Sequence, residues 1–125
     1  MSSADQTELD WQNGSLAGGL SCYCKGEFFE AHEHWEAVWL TQGEPLKSFL
    51  QAVIQVTAAC HHVQRGNQAG AISLLTRSLH RLESCQARLG GLDVVQLRTD
   101  IAHALQLLKA EHPADALAPP RIRPI

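Results

Sequence analysis

The run His32-Glu33-x-x-Glu36 has the residue types and spacing of a chemical site. It lies within Gly26 to Thr41, GEFFEAHEHWEAVWLT. Residues four apart on a helix stand about 5–6 Å from each other on one face, so His32 and Glu36 can hold one divalent ion together. Glu33 follows the histidine as the general base does in the zinc-protease H-E-x-x-H helix, and would polarise a metal-bound water. A carboxylate in place of the second histidine favours Mn, Fe or Zn in a two-histidine-one-carboxylate arrangement. The missing ligand must come from another helix, and His61 or His62 is the candidate. Gln51 and Gln55 would orient the ligands or the substrate. The chemistry this pattern predicts is metal-assisted hydrolysis with Glu33 as the catalytic base.

Other readings start from the same residues. A buried His32–Glu36 pair, bonded to a tryptophan N–H or to Gln51 or Gln55, would satisfy itself inside a bundle without chemistry. A binding module is the second class: an aromatic-rich helix and a proline-rich tail suit a protein or peptide partner, with Gln51, Gln55 and His62 reading polar backbone groups. A homodimer is the third, because the helix carrying Gln51 is apolar over more than half its circumference. No phosphate-cradling glycine loop and no nucleophile elbow is present, so the substrate stays an unknown small molecule or peptide.

Those residues need helices to position them. At about 100° per residue, Phe28, Phe29, Trp35, Trp39 and Leu40 share one broad apolar face, with His32 near its centre and Glu36 one turn along. Glu33 falls at the rim, and Glu27, Glu30 and His34 point away. A first helix is expected from near Leu9 to Tyr23 or Cys24, seamed by Leu16, Leu20 and Tyr23 and weakened by Gly14 and Gly18-Gly19. Residues 1 to about 8 are expected to fray. Gly43 and Pro45 separate the second helix from a third, running to about Gln64, which buries Leu46, Phe49, Leu50, Val53, Ile54, Val56, Thr57 and Cys60. That helix should be the central one. Its other side carries Gln51, Gln55 and His62 in one stripe, with His61 at the margin of the apolar arc.

Arg65-Gly66-Asn67 restarts the chain for a fourth helix, Gln68 to about Arg88, with Arg77 and His80 facing outward and Gly90-Gly91 ending it. Asp93 should cap a fifth helix to about Ala110, burying Val94, Leu97, Ile101, Leu105 and Leu108. The tail from Pro113 holds four of the five prolines and should lie extended. Gly26 and Gly66 each precede an alanine by five residues and large apolar residues by nine and thirteen, as tetratricopeptide-like hairpins do. Two such units are too few for an open solenoid. The expected fold is therefore all-α, a compact bundle of about five helices with tetratricopeptide-like hairpins, in one domain over 1–112 with a tail over 113–125.

Bulk composition excludes several classes. The 125 residues are 45% hydrophobic and 18% charged, with a net charge of −3 and a pI near 6.1, so global disorder is excluded. No basic stripe recommends a nucleic-acid ligand. No apolar run approaches the ~18–20 residues that span a bilayer, and the N-terminal segment is polar and acidic, so a cytoplasmic protein is expected. Cys22, Cys24, Cys60 and Cys85 form no C-x-x-C pair and read as free thiols, although Cys22-x-Cys24 could supply half a zinc site.

FFEAHEHWEAVW, FLQAVIQVTAACHHVQRGN and GAISLL together resemble the signature of the domain-of-unknown-function 309 family, over about Tyr23 to Leu82. The EAHE-x-WE-x-x-W core is the specific part. The resemblance implies a small helical bundle, and some members carry the label metal-dependent hydrolase. Its recurrent polar positions fall here on Glu30, His32, Glu33, Glu36, Gln51, Gln55, His61, His62, Gly66 and Asn67. The chain departs from the pattern at His34, usually aliphatic, and in its Cys22-x-Cys24 pair.

Overall fold

The computed structural model describes residues 8–111 and 117–125. The expected fraying of the first residues and the first part of the tail therefore lie outside the described residues. Those described form α1 (Gly14–Cys24), α2 (Phe28–Trp39), α3 (Leu46–Gln64), α4 (Gln68–Glu83) and α5 (Val94–Lys109). Between α4 and α5 lies a two-stranded antiparallel ladder, β1 (Arg88–Leu89) with β2 (Leu92–Asp93). A helical bundle is borne out, with this ladder as its one addition.

The echo between Gly26 and Gly66 is structural. After α1, the N–H of Lys25 reaches the carbonyls of Ser21 and Cys22, that of Gly26 reaches Tyr23, and that of Glu27 reaches Cys22. After α3, Arg65, Gly66 and Asn67 repeat the pattern with His61, His62 and Val63. Gly26 and Gly66 both sit at φ 78°, a left-handed turn that glycine takes without a Cβ clash. Ala31 and Ala71, five residues on, are both fully buried, and Trp35 and Leu75 are buried one turn later. Two αα-hairpins of the same design, α1–α2 and α3–α4, thus stack side by side.

α3 is the centre: nine of its residues are buried, and it packs against α2 on one side and α4 on the other. Most of its apolar arc is covered within the chain, but Ile54, expected among the buried residues, is half-buried. α5 lies on α4 and buries Val94, Leu97, Ile101, Leu105 and Leu108 as its periodicity requires. The Asp93 side chain accepts the Gln96 N–H at 3.0 Å, the expected cap. Among the described residues no helix is long and apolar enough to cross a membrane.

Three boundaries differ from expectation. α1 begins at Gly14, not near Leu9, because the Asp10 carboxylate takes the Gln12 N–H and the Asn13 amide in a local turn. Trp11 then leaves the helical path and is buried, its indole N–H donating to the Gly90 carbonyl at 2.6 Å. α4 stops at Glu83, short of Arg88, where the Ser84 hydroxyl and Cys85 N–H take up the carbonyls of Arg81 and Leu82. Gly90-Gly91 does not end that helix; at φ 60° and 78° the pair makes the two-residue turn between β1 and β2.

The described part of the tail is extended and docked. Pro120 and Ile122 are buried, Pro124 bridges to Leu92, and the Ile125 N–H reaches the Gly91 carbonyl. Tyr23 donates its hydroxyl to the Pro120 carbonyl at 2.6 Å. Asp100 accepts three bonds from Arg121: the backbone N–H at 3.0 Å, Nε at 2.9 Å and Nη2 at 3.2 Å. Burial pushes the Asp100 carboxyl up, but its bonds and charge attraction to Arg121, with the Gln96 amide, outweigh that and hold it below its usual range. A depressed folded value means the latch contributes fully above the unfolded pKa and is lost as pH falls through the folded one. Acidification is therefore expected to loosen the tail, read as loss of the Arg121 amide's protection from hydrogen exchange. Asp100→Asn should weaken that protection at neutral pH and flatten its pH dependence; an unchanged profile would refute the latch.

Candidate functional site

α2 is rotated relative to the face that its large side chains suggest. Its buried residues are Phe28, Ala31 and Trp35, whereas Phe29 is 52% and Leu40 67% exposed. Ala31 is fully buried, a small residue that a count of bulky groups overlooks. The rotation leaves His32 half-buried and puts Glu36 in solvent together with Glu33. The expectation that Glu36 lies within the apolar stripe is thus corrected. The self-satisfied pair is corrected with it: among the described residues no hydrogen bond joins His32 to Glu36, Gln51 or Gln55, and Glu36 is exposed. His34 is exposed, as expected, and its ring lies over Gly18 of α1.

What the rotation creates is an outer flank. Phe29, Glu33, Glu36 and Leu40 follow one another at spacings of four, three and four, which keeps them within one narrow arc of the helix. Eleven residues at about 1.5 Å each separate its two ends by roughly 16 Å. His32 borders this flank on the side toward α3.

α3 supplies the floor beside it. The Phe29 ring stands 5.9 Å from the His61 ring at one end of the antiparallel α2–α3 pair. At the other end Lys47 donates to the Trp39 carbonyl at 3.3 Å and its ammonium lies 4.2 Å from the centre of the Trp39 ring. Gln51, Ile54, Gln55, Ala58, His61 and His62 are all half-buried, so the expected polar stripe of α3 runs along the open side of the helix. His62 leans the other way, toward α4, with its Nδ1 3.1 Å from the Asn67 amide. The structure therefore sends the two adjacent histidines to opposite walls: His61 to α2 and His62 to the start of α4.

Two buried polar atoms in this region have no hydrogen-bond partner among the described residues, the Trp39 indole N–H and the Gln55 Oε1. Each is a group that ordinarily finds a partner when buried. No three His, Cys, Asp or Glu side chains gather as ligands of one ion among the described residues. His32 and Glu36 offer two donors on one turn, and a closed coordination sphere is not preassembled around them.

The cysteines are free thiols. Burial pushes Cys60 up to about 12, so it stays protonated, and its Sγ lies 3.8 Å from the Tyr23 hydroxyl. Cys22 is half-buried and Cys24 exposed; two residues apart on α1, they point in opposed directions and do not face one ion.

Sequence reasoning missed the exposure of Phe29 and Leu40. It also set Arg77 aside as a solvated residue and did not single out Arg81. The unbroken run of acids at Glu27, Glu30, Glu33 and Glu36, with no Lys or Arg from Gly26 to Leu46, was the available signal for a surface flank.

An uncharacterised protein of Aquifex aeolicus is 24% identical over 91 residues, which are 72% of this chain and 27% of that protein. The chain thus spans about a quarter of the length of this relative. The family model described as domain of unknown function, DUF309, matches residues 16–74, from α1 through the first half of α4. The resemblance carried by FFEAHEHWEAVW and FLQAVIQVTAACHHVQRGN is borne out over those residues, where the chain matches the DUF309 family.

Proposed function

We propose that this protein is a binding module that docks a polypeptide partner along α2, with the open stripe of α3 as the floor of the groove. The supporting observation is the exposure of Phe29 and Leu40 at the two ends of a flank that carries Glu33 and Glu36. Singly scattered apolar residues need no explanation, but two that bracket a pair of carboxylates on one arc offer an apolar anchor at either end of a charged strip. The complementary partner is an amphipathic segment with apolar residues toward Phe29 and Leu40 and cationic residues between them. A second copy of this chain is a poor partner for the flank, since carboxylates would meet carboxylates.

The test is a photocrosslinking residue at Leu40, with the same residue at exposed Thr76 of α4 as control. A discrete crosslinked polypeptide at Leu40 is expected, persisting in chelator and lost in Phe29→Ala. Anchors of this kind cost about 2 kcal/mol or more on truncation, roughly thirtyfold in Kd. Equal labelling at both positions would sink the docking reading.

Metal-assisted hydrolysis of a small molecule or peptide, with His32, Glu36 and His61 as ligands and Glu33 as base, is the alternative. One observation favours it: the contact of His61 with Phe29 brings an imidazole to the end of α2 that carries His32. Metal content separates the two. About one equivalent of Zn, Mn or Fe in wild type, absent from folded His32→Ala, would replace the docking reading with this one.

A further inference from the structure

We propose that the cleft between the start of α3 and the end of α4 binds a phosphate-bearing small molecule, its phosphoryl group held by Arg77 and Arg81. The cleft measures about 540 Å³ and is lined by Ser48, Arg77, His80, Arg81, Glu83 and Ser84. Arg77 and Arg81 lie one turn apart on α4, a spacing at which two guanidinium groups converge on one oxyanion. Arg81 is half-buried, and its Nε is shielded from water with no acceptor among the described residues. A guanidinium N–H withdrawn from water and left unpaired is costly, and a turn of the Arg81 side chain toward an anion in the cleft would relieve it.

The neighbouring groups leave the two guanidiniums available. The Ser84 hydroxyl already donates to the Arg81 carbonyl, and the Ser48 hydroxyl to the Glu44 carboxylate at 2.8 Å. The Ser48 hydroxyl and the Ser48 backbone N–H, at 3.0 Å, chiefly hold Glu44 below its usual range, with the charge of Arg81 adding from a distance. The Glu83 carboxylate is turned to His80, 3.7 Å from its Nδ1. Among the described residues neither Arg77 nor Arg81 forms an ion pair.

The donor count favours phosphate over carboxylate. One arginine fork engages both oxygens of a carboxylate, whereas a phosphomonoester presents a third terminal oxygen and up to a second negative charge to a second fork. Ser48 and Ser84 also wall a neighbouring lobe of about 320 Å³, whose lining includes Glu44, Pro45, Cys85 and Leu89. That lobe has room for the organic part of a small phosphomonoester. The site is separate from the α2 flank and does not depend on the docking reading.

The full chain, labelled with ¹⁵N-arginine, would be titrated at constant ionic strength with inorganic phosphate, phenyl phosphate and acetate, following the arginine Nε–H signals. Phosphate and phenyl phosphate should each shift the Arg81 signal saturably while those of Arg65 and Arg98 stay in place. Arg77→Gln and Arg81→Gln should each weaken binding by about tenfold. Arg77 is exposed, so its variant keeps the fold and leaves the test open if Arg81→Gln unfolds. No saturable shift with phosphate, an equal response to acetate, or unchanged affinity in Arg77→Gln would overturn the proposal.

Discussion

Trp35→Ala is expected to destabilise the fold by about 3–5 kcal/mol, lowering the melting temperature by roughly 10–25 °C. Trp35 is 0% exposed and stands at the middle of an aromatic cluster. Trp11 meets it edge-on at 5.8 Å, Tyr23 lies 5.7 Å away, and Tyr23 in turn packs edge-on against Phe28 at 5.2 Å. Its indole N–H donates to the Leu16 carbonyl of α1 at 3.2 Å. The truncation removes the largest buried side chain of the core and leaves a cavity whose walls are themselves anchored. Trp11 is tied to Gly90 and Tyr23 to Pro120, so neither collapses inward without breaking a buried hydrogen bond. A loss of this size is a large part of the ~5–15 kcal/mol that holds a domain together. Urea unfolding of wild type and variant measures it directly, and a loss under about 1 kcal/mol would show that the cluster is not the keystone. The effect reaches the surface as well: Trp35 fixes the rotation of α2, and that rotation decides which residues form the outer flank.

Periodicity and turn chemistry made most of the fold readable. The Gly26 and Gly66 echo anticipated two matching hairpins because a left-handed glycine after a helix and a small residue one turn into the next are both local requirements. α5 was readable because Asp93 and its apolar positions agree with each other. The misplaced ends have non-local causes. Trp11 leaves the helical path for a carbonyl supplied by Gly90, far along the chain, and no helical propensity near Leu9 registers that partner. The Gly90-Gly91 turn has its geometry because β1 and β2 pair and the tail bridges to Leu92, neither of which an isolated glycine pair announces.

The candidate site was half legible. His32, Gln51, Gln55 and His61 are half-buried along the α2–α3 pair, whereas His62, half-buried as well, turns to Asn67 at the start of α4. The rotation of α2 was not legible. It shows in the full burial of Ala31, which a wheel centred on bulky residues passes over in favour of Phe29 and Leu40, both surface. The divergence of His61 and His62 was equally hidden. Adjacent residues on a helix differ by about 100°, so which of them meets α2 depends on packing on both flanks of α3.

Gly19→Ala is expected to destabilise by about 2 kcal/mol or more, although helix propensity alone favours alanine over glycine by ~1 kcal/mol in a helix interior. A Cβ at Gly19 would collide with the Trp35 Nε1 and lie 2.5 Å from its Cδ1. The indole has nowhere to go, being fully buried against Trp11 and Tyr23 and bonded to Leu16 one turn back on α1. The adjacent glycine provides the control. A Cβ at Gly18 would come within 2.9 Å of the ring of His34, but that side chain is exposed and can swing aside. Gly18→Ala should therefore be neutral or stabilising by up to about 1 kcal/mol. The glycine pair, which reads as a weakness in α1, is thus divided: Gly19 permits the crossing with α2, and Gly18 is replaceable. Thermal melts of both variants, with Trp35→Leu as a third background, decide the point. In that background the cost of Gly19→Ala should shrink to near zero, because the clash has lost its partner. Equal destabilisation by both alanines, or no relief from Trp35→Leu, would mean that the α1–α2 crossing is not set by this contact.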